Sequence, residues 1–189
     1  MSQGSLTIGV DIGTTGCRAC AVADAAEQVA EASVSYKPDR PSPGMAEQDP
    51  LVWWKAFRQT VSEVAKRVKG GRVQAIAVSS QSTALVPVDR SFAPLRSAII
   101  WQDTRSAEVC NEIAEHFGAE AIREQIGWAP STFLVWPKVL WFMENEPELM
   151  SKARWLLQVN GFILHRLCGE AVLDVSNAIG LPKDIRTLD

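Results

Sequence analysis

Metal-binding side chains are scarce in this chain. Two histidines and four cysteines occur in 189 residues, and none is spaced as a zinc ligand set. His116 and His165 fall on helical patterns without a ligand partner, as do Cys110 and Cys168. Cys17 and Cys20 share a strand-type run, where residues three apart point to opposite faces. Their Cα atoms would stand roughly 10 Å apart, beyond the disulfide limit of about 7 Å. Metal clusters and redox pairs are therefore excluded, and the thiols read as core and near-core residues. An excess of positive charge is also missing. The net charge of −3 favours neither nucleic acid nor a membrane surface as a partner. No apolar run is long enough to cross a bilayer, and the N-terminus MSQGSLTIGV lacks the basic start and long apolar centre of a secretory signal. A cytoplasmic location is the expectation. Internal repeats and low-complexity segments are absent too. What remains is 47% hydrophobic and 22% charged, a globular chain with one substantial core or two small ones.

The most informative stretch is IGVDIGTTG, Ile8 to Gly16, followed by the apolar CRACAVA of Cys17 to Ala23. An apolar strand ends in one carboxylate, Asp11, and meets a turn framed by Gly13 and Gly16 that carries two hydroxyls, Thr14 and Thr15. A second strand follows. Such a hairpin tip suits phosphate: backbone amides converge, hydroxyls add donors, and a carboxylate can hold the magnesium that accompanies a nucleotide. An ordinary glycine-rich hairpin turn accounts for the same residues equally well. GxGxxG and GxxxxGK[ST] do not apply, because both open a helix after the strand.

A third strand is expected near Val29 to Tyr36, then a turn-rich loop over Lys37 to Gly44. Asp49 and Pro50 suit the N-cap and first turn of a helix. Its apolar stripe is Trp54, Phe57, Val61, Val64 and Val68, and Gly70-Gly71 ends it. Lys55, Arg58, Lys66, Arg67 and Lys69 spread over the other faces and read as a solvated surface. A buried-type strand follows at Val73 to Ser80, then Gln81-Ser82-Thr83, a strand at Ala84 to Asp89 and another at Ala98 to Asp103. Ligands of open α/β sheets bind outside strand ends, so Gln81, Ser82, Thr83, Trp101, Asp103 and Arg105 could converge on one small polar ligand. Turn capping, a core tryptophan and a surface Asp103–Arg105 pair are the alternatives. From Ser106 the chain turns helical, with Val109, Ile113 and Phe117 as a core stripe stopped by Gly118. A shorter helix is expected around Ala119 to Ile126, another from Pro137 through Trp141, and a longer one from Trp155 to Leu167 closed by Gly169. The tryptophans at 128, 136, 141 and 155 read as packing residues, since no basic groove is interleaved with them.

Several blocks in order resemble the FGGY carbohydrate kinases, which include xylulokinase, gluconate kinase and glycerol kinase. They are Val10 to Asp24, GMAEQDPLVWW (Gly44 to Trp54), IAVSSQSTALVPVD (Ile76 to Asp89), IIWQDTRS (Ile99 to Ser106), PKVLWFMENEPE (Pro137 to Glu148), and Gln158 to Glu170 with DVSNA (Asp174 to Ala178). The resemblance implies an α/β, ribonuclease-H-like (actin-like ATPase) domain, a mixed sheet flanked by helices. It implies a kinase using ATP and magnesium on a sugar or polyol. Asp11 would be catalytic and hold the metal; Gly13, Thr14, Thr15 and Arg18 would surround the nucleotide phosphates. Gln81, Ser82 and Thr83 would meet substrate hydroxyls, with Trp101 and Asp103 walling the sugar pocket.

The resemblance also makes residues 1–189 an N-terminal domain incomplete at its C-terminal end, with the second, adenosine-binding domain absent. The family's proton-accepting aspartate would lie beyond Asp189; Asp174, Asp184 and Asp189 are not in its context. The isolated chain is then expected to be inactive, a sugar- or phosphate-binding piece, with exposed apolar surface favouring homo-oligomers. Ser82-Thr83 departs from the Met-His of xylulokinases and the Arg-Glu of glycerol kinases, which leaves the substrate open among ketoses, polyols and sugar acids. Asn160-Gly161-Phe162 likewise replaces the more frequent Asp-Tyr. An actin- or chaperone-like ATPase module is the other enzyme class considered, and the EQDP and WQDTR blocks argue against it.

Overall fold

Alternation of period two drives the first two strands. In β1 (Ser5–Ile12) Leu6, Ile8, Val10 and Ile12 are buried, and in β2 (Gly16–Ala23) Cys17, Ala19 and Ala21 are, so one face of the hairpin is apolar and the other open. The structure, a computed structural model, describes residues 5–23, 27–68 and 71–181. Asp184, Asp189 and the glycine at position 70 of the expected helix stop lie outside those residues. β3 (Gln28–Ser35) runs antiparallel to β2, as the sequence suggests. After the short β4 (Glu47–Gln48), α1 (Pro50–Arg67) packs on the apolar face, and β5 (Arg72–Ser80) returns parallel to β1. The sheet order is β3-β2-β1-β5.

Helix α1 starts where expected, with the Asp49 carboxylate accepting from the Leu51 amide at 2.9 Å. Its buried stripe keeps the expected Phe57 and Val64 but takes in Trp53, Ala56 and Thr60: Trp53 is fully buried, and Trp54 only partly. The reason is polar. Trp53 Nε1 finds a buried acceptor in Gln48 Oε1 at 3.0 Å, whereas Trp54 stacks on Phe57 at the edge of the core. Strand β5 is the larger departure from expectation. Its apolar run reads as buried on both faces, yet Val73 and Ile76 are 38% and 39% exposed. Only β1 pairs with it among the described residues.

Two small ribbons finish the layer beside the sheet. β6 (Val86–Val88) and β7 (Ala98–Ile99) are shorter than the sequence suggests, and β4 pairs with β7. Helices α2 (Ala107–Phe117), α3 (Ala119–Ile126), α4 (Val135–Asn145) and α5 (Pro147–Lys152) follow. Phe117 leaves the expected stripe of α2 and is 63% exposed, its core place taken by Cys110. The run from Trp155 splits. Trp155–Leu157 forms β8 against β6, and α6 (Val159–Cys168) begins after it, ending at Gly169 in the left-handed region. A short apolar run does not distinguish strand from buried helix by periodicity, and the edge of β6 decides it. One large core joins the sheet, α1 and α6; a smaller one holds Leu85, Ile99, Val135 and Phe142. All four cysteines are free of disulfides.

Candidate active site

The β1–β2 tip is tight. Gly13 N–H donates to Gly16 carbonyl at 2.9 Å, and the Tyr36 hydroxyl and amide donate to the carbonyls of Gly13 and Thr15 at 2.7 and 3.1 Å. Neither glycine of the tip has a positive φ. Gly16 is required by close approach instead, since a Cβ there would lie 2.8 Å from the Val34 carbonyl oxygen. No described group accepts from the amides of Thr14 or Thr15, so both remain available at the tip.

Asp11 stands one residue before the end of β1 on the open face, level with Arg18 of β2 and Ser79 of β5. It makes no hydrogen bond or ion pair with a described residue, while Arg18 reaches Glu31 at 3.3 Å. Gly9, Asp11, Arg18, Cys20, Ala77 and Ser79 border a shallow concavity of about 340 Å³.

Gln81 arrives at the tip because the parallel ladder runs one step past β5, its amide donating to the Ile12 carbonyl at 2.9 Å. There its Nε2 donates to Gln48 Oε1 at 2.7 Å and its Oε1 accepts from the Thr14 hydroxyl at 3.1 Å. Trp101 Nε1 donates to that same hydroxyl at 2.8 Å. Thr14, Gln81 and Trp101, drawn from three separate stretches, thus meet, with the Trp101 ring 41% exposed. Ser82 is half-buried, and its hydroxyl bonds to no described residue.

Thr83 and Asp103 lie deeper. Thr83 has φ 56°, a region that costs a β-branched residue about 1 kcal/mol or more. Its amide donates to Gln158 Oε1 at 3.0 Å, its carbonyl accepts from Lys138 Nζ at 2.7 Å, and its buried hydroxyl has no partner among the described residues. Asp103, expected beside Trp101 in the sugar-pocket wall, is 1% exposed. Its carboxylate accepts from the Ala46 amide at 2.6 Å and from Arg105 Nε and Nη2 at 2.9 and 2.8 Å. Arg105 also binds Glu47 at 2.6 Å, and Arg96 joins Glu47 to Glu146. The Asp103–Arg105 pair is therefore buried, with side-chain exposures of 0% and 5%, rather than a surface contact.

Two residues of this site escaped sequence reasoning. Gln48 stands inside the EQDP block, but nothing in the pattern marks its amide as the partner of Trp53 and Gln81. Lys138 is visible as the one cation in the apolar first turns of α4, and it is completely buried. Burial pushes its ammonium down to about 7, against the opposing pull of Asp103 and Cys110. In the unfolded chain it keeps its proton up to its ordinary 10.5. Between these values the unfolded state binds the additional proton, so stability rises with pH, at up to about 1.4 kcal/mol per pH unit. Above about pH 9 the buried Cys17 and Cys110 thiols, held above their ordinary 9.0, work the other way. Urea unfolding is expected to show a higher midpoint at pH 8.5 than at 6.5. Lys138→Met is expected to flatten that rise; an equal rise in the variant would exclude Lys138 as its source.

A mixed sheet of this order, with helices beside it and a glycine-framed hairpin at the sheet's end, is the actin-like ATPase class of α/β domain. Residues 6–181 match the FGGY family of carbohydrate kinases, N-terminal domain, and the chain belongs to that family. It is 32% identical over 177 residues to a glycerol kinase of Thermococcus onnurineus, covering 90% of this chain and 36% of that protein. The crystal structure of a xylulose kinase from Rhodospirillum rubrum matches with a TM-score of 0.91 at 29% identity, over 96% of this chain and 38% of that one. A gluconate kinase from Lactobacillus acidophilus matches with a TM-score of 0.92 at 25% identity, over 98% and 38%. The chain thus spans a little over a third of the length of the relatives it matches. No described helix is long and apolar enough to cross a membrane.

Proposed function

We propose that this chain forms the phosphate-facing hairpin and the sugar side of an ATP-dependent, cytoplasmic kinase that phosphorylates a hydroxyl of a small sugar or polyol. The observation that carries the reading is the meeting of Thr14, Gln81 and Trp101 at the tip of the hairpin whose first strand carries Asp11, a carboxylate that pairs with no described residue. A polyhydroxyl ligand needs polar groups beside an apolar ring, and Gln81 with the exposed Trp101, both bonded to Thr14, offer that, with Ser82 next in sequence. Phosphoryl transfer needs positioning and charge neutralisation more than covalent chemistry.

Magnesium fits the donor set. It commonly takes one or two carboxylates and completes its shell with water and phosphate oxygens, and Asp11 is a free carboxylate in such a place. When bound, the ion would neutralise charge on the transferring phosphoryl group. The amides of Thr14 and Thr15 and the exposed Thr15 hydroxyl donate to phosphate oxygens, with Arg18 at the margin. Thr83 acts through the backbone of its turn, and Asp103 holds the segment that carries Trp101. Asp174 is no general base here. Its carboxylate is occupied by Asn160, Ser176 and the Asn177 amide and side chain; burial pushes it up, but the bonds from Ser176 and Asn177 outweigh that and hold it below the usual carboxylate range.

A coupled ADP-release assay over ketoses, polyols and sugar acids tests the reading. Magnesium-dependent turnover of one panel member is expected from a chain of the relatives' length, and none from the 189-residue chain. Silence of the longer chain across the panel would overturn the kinase reading; turnover by the 189-residue chain would place a catalytic base within it.

A further inference from the structure

Five side chains of the candidate site form a single line of hydrogen bonds whose direction is fixed from both ends. Trp53 Nε1–H can only donate, so the Gln48 atom it meets is the carbonyl oxygen. That oxygen also receives Gln81 Nε2 at 2.7 Å, and Gln48 Nε2 turns to the Thr14 carbonyl at 2.7 Å. Gln81 must then show its own carbonyl to Thr14, whose hydroxyl proton goes to it at 3.1 Å. At the far end Trp101 Nε1–H, again a donor only, bonds to a lone pair of the Thr14 oxygen, whose O–H points the other way, at Gln81.

We infer that Gln48 is a positioning residue: by accepting from Trp53 and Gln81 at once, it sets which face Gln81 offers a ligand and turns the Thr14 hydroxyl into the anchor of the Trp101 ring. Three consequences follow from the donor count. The Thr14 hydroxyl has no proton left for phosphate, so only its amide donates at the tip. Gln81 keeps one N–H and one lone pair for an incoming hydroxyl. The phosphate turn and the ring wall are tied together, so the ring is held against the tip before any ligand arrives. Gln48 is 3% exposed and cannot touch a ligand itself. This inference deepens the proposed function but stands on the internal bonds alone.

Its test uses the 189-residue chain without ligand. The seven tryptophans give seven indole N–H resonances in a ¹⁵N-labelled sample, and Trp101→Phe and Trp53→Phe assign the two of interest. Gln48→Leu removes the shared acceptor and is expected to raise indole exchange with water at Trp101 by about tenfold or more, while backbone amides of β1 and β2 keep their protection. Gln48→Glu retains an oxygen facing Trp53 and Gln81 but sets a second, acceptor-only oxygen against the Thr14 carbonyl, so it is expected to keep the Trp53 indole within about threefold of the parent while loosening Trp101. Thr14→Val should free the Trp101 indole and leave that of Trp53 unchanged. Unchanged exchange at Trp101 in Gln48→Leu would overturn the inference. Should Gln48→Leu fail to fold, Gln48→Glu and Thr14→Val decide it: loss of Trp53 protection in the first, or survival of Trp101 protection in the second, refutes the relay. No sugar enters the measurement, so failure of the kinase reading in the ADP-release assay leaves this result intact, and the reverse.

Discussion

Asp103→Ala is expected to cost the fold about 3–5 kcal/mol, a large part of the 5–15 kcal/mol that holds a domain of this size together. The carboxylate is fully buried and accepts from the Ala46 amide, the Arg105 amide and two guanidinium nitrogens of Arg105. Removing it leaves the 5%-exposed Arg105 with Glu47 as its one carboxylate and the Trp141 ring beside it, and orphans two backbone donors, the amides of Ala46 and Arg105. The magnitude follows from stranding a buried charge, not from the net worth of the ion pair. Replacing both partners, Asp103→Leu with Arg105→Met, is therefore expected to cost less than the single change. Urea unfolding measures both. A single-variant cost below about 1 kcal/mol would show that water or rearrangement satisfies Arg105 easily.

Asp11→Asn is expected to behave in the opposite way, leaving the fold alone and removing function. Asp11 has no described partner to lose and faces away from the core, so its unfolding midpoint should match that of the parent. In a chain of the relatives' length, turnover should fall by about 10²–10³-fold, the range for removing one preorganised electrostatic group. The magnesium requirement should shift to higher concentration. Binding of the sugar, measured separately, should stay within about twofold, because Asp11 makes no bond to Gln81, Thr14 or Trp101. Unchanged turnover would remove Asp11 from the mechanism; a fold loss would show a structural role that its open setting does not suggest.

Much of this architecture is local and so was legible. Alternation in Ile8 to Ala23 specified the hairpin, Asp49-Pro50 the start of α1, Gly118 and Gly169 the ends of α2 and α6, and Ala119–Ile126 its own helix. Two of the errors are cases where a distant partner decides. Trp53 and Trp54 are neighbours of equal size, and only the buried Gln48 oxygen separates them. Trp155–Leu157 is apolar enough for helix or strand, and the edge of β6 selects strand. For the site, the resemblance gathered Thr14, Gln81 and Trp101 as candidates, but not the bonds between them. Lys138 was readable as a cation in an apolar helix, yet its role depends on the carbonyl of Thr83, 55 residues earlier.

Strand β5 carries a practical consequence for handling the protein. Its sequence RVQAIAVSS bears charge only at Arg72, contains no proline, and among the described residues has a row of backbone groups that no neighbouring strand takes up. Proteins usually guard such an edge with lysines, bulges or a covering segment. β5 has one bulge, at Gln74, but beyond it no lysine and, among the described residues, no covering segment, so colloidal behaviour, rather than the strength of the core, is expected to set the concentration at which the 189-residue chain can be studied. A lysine introduced at an outward position of β5 is the natural gatekeeper for that work, and it would leave the hairpin tip and its hydrogen-bond relay untouched.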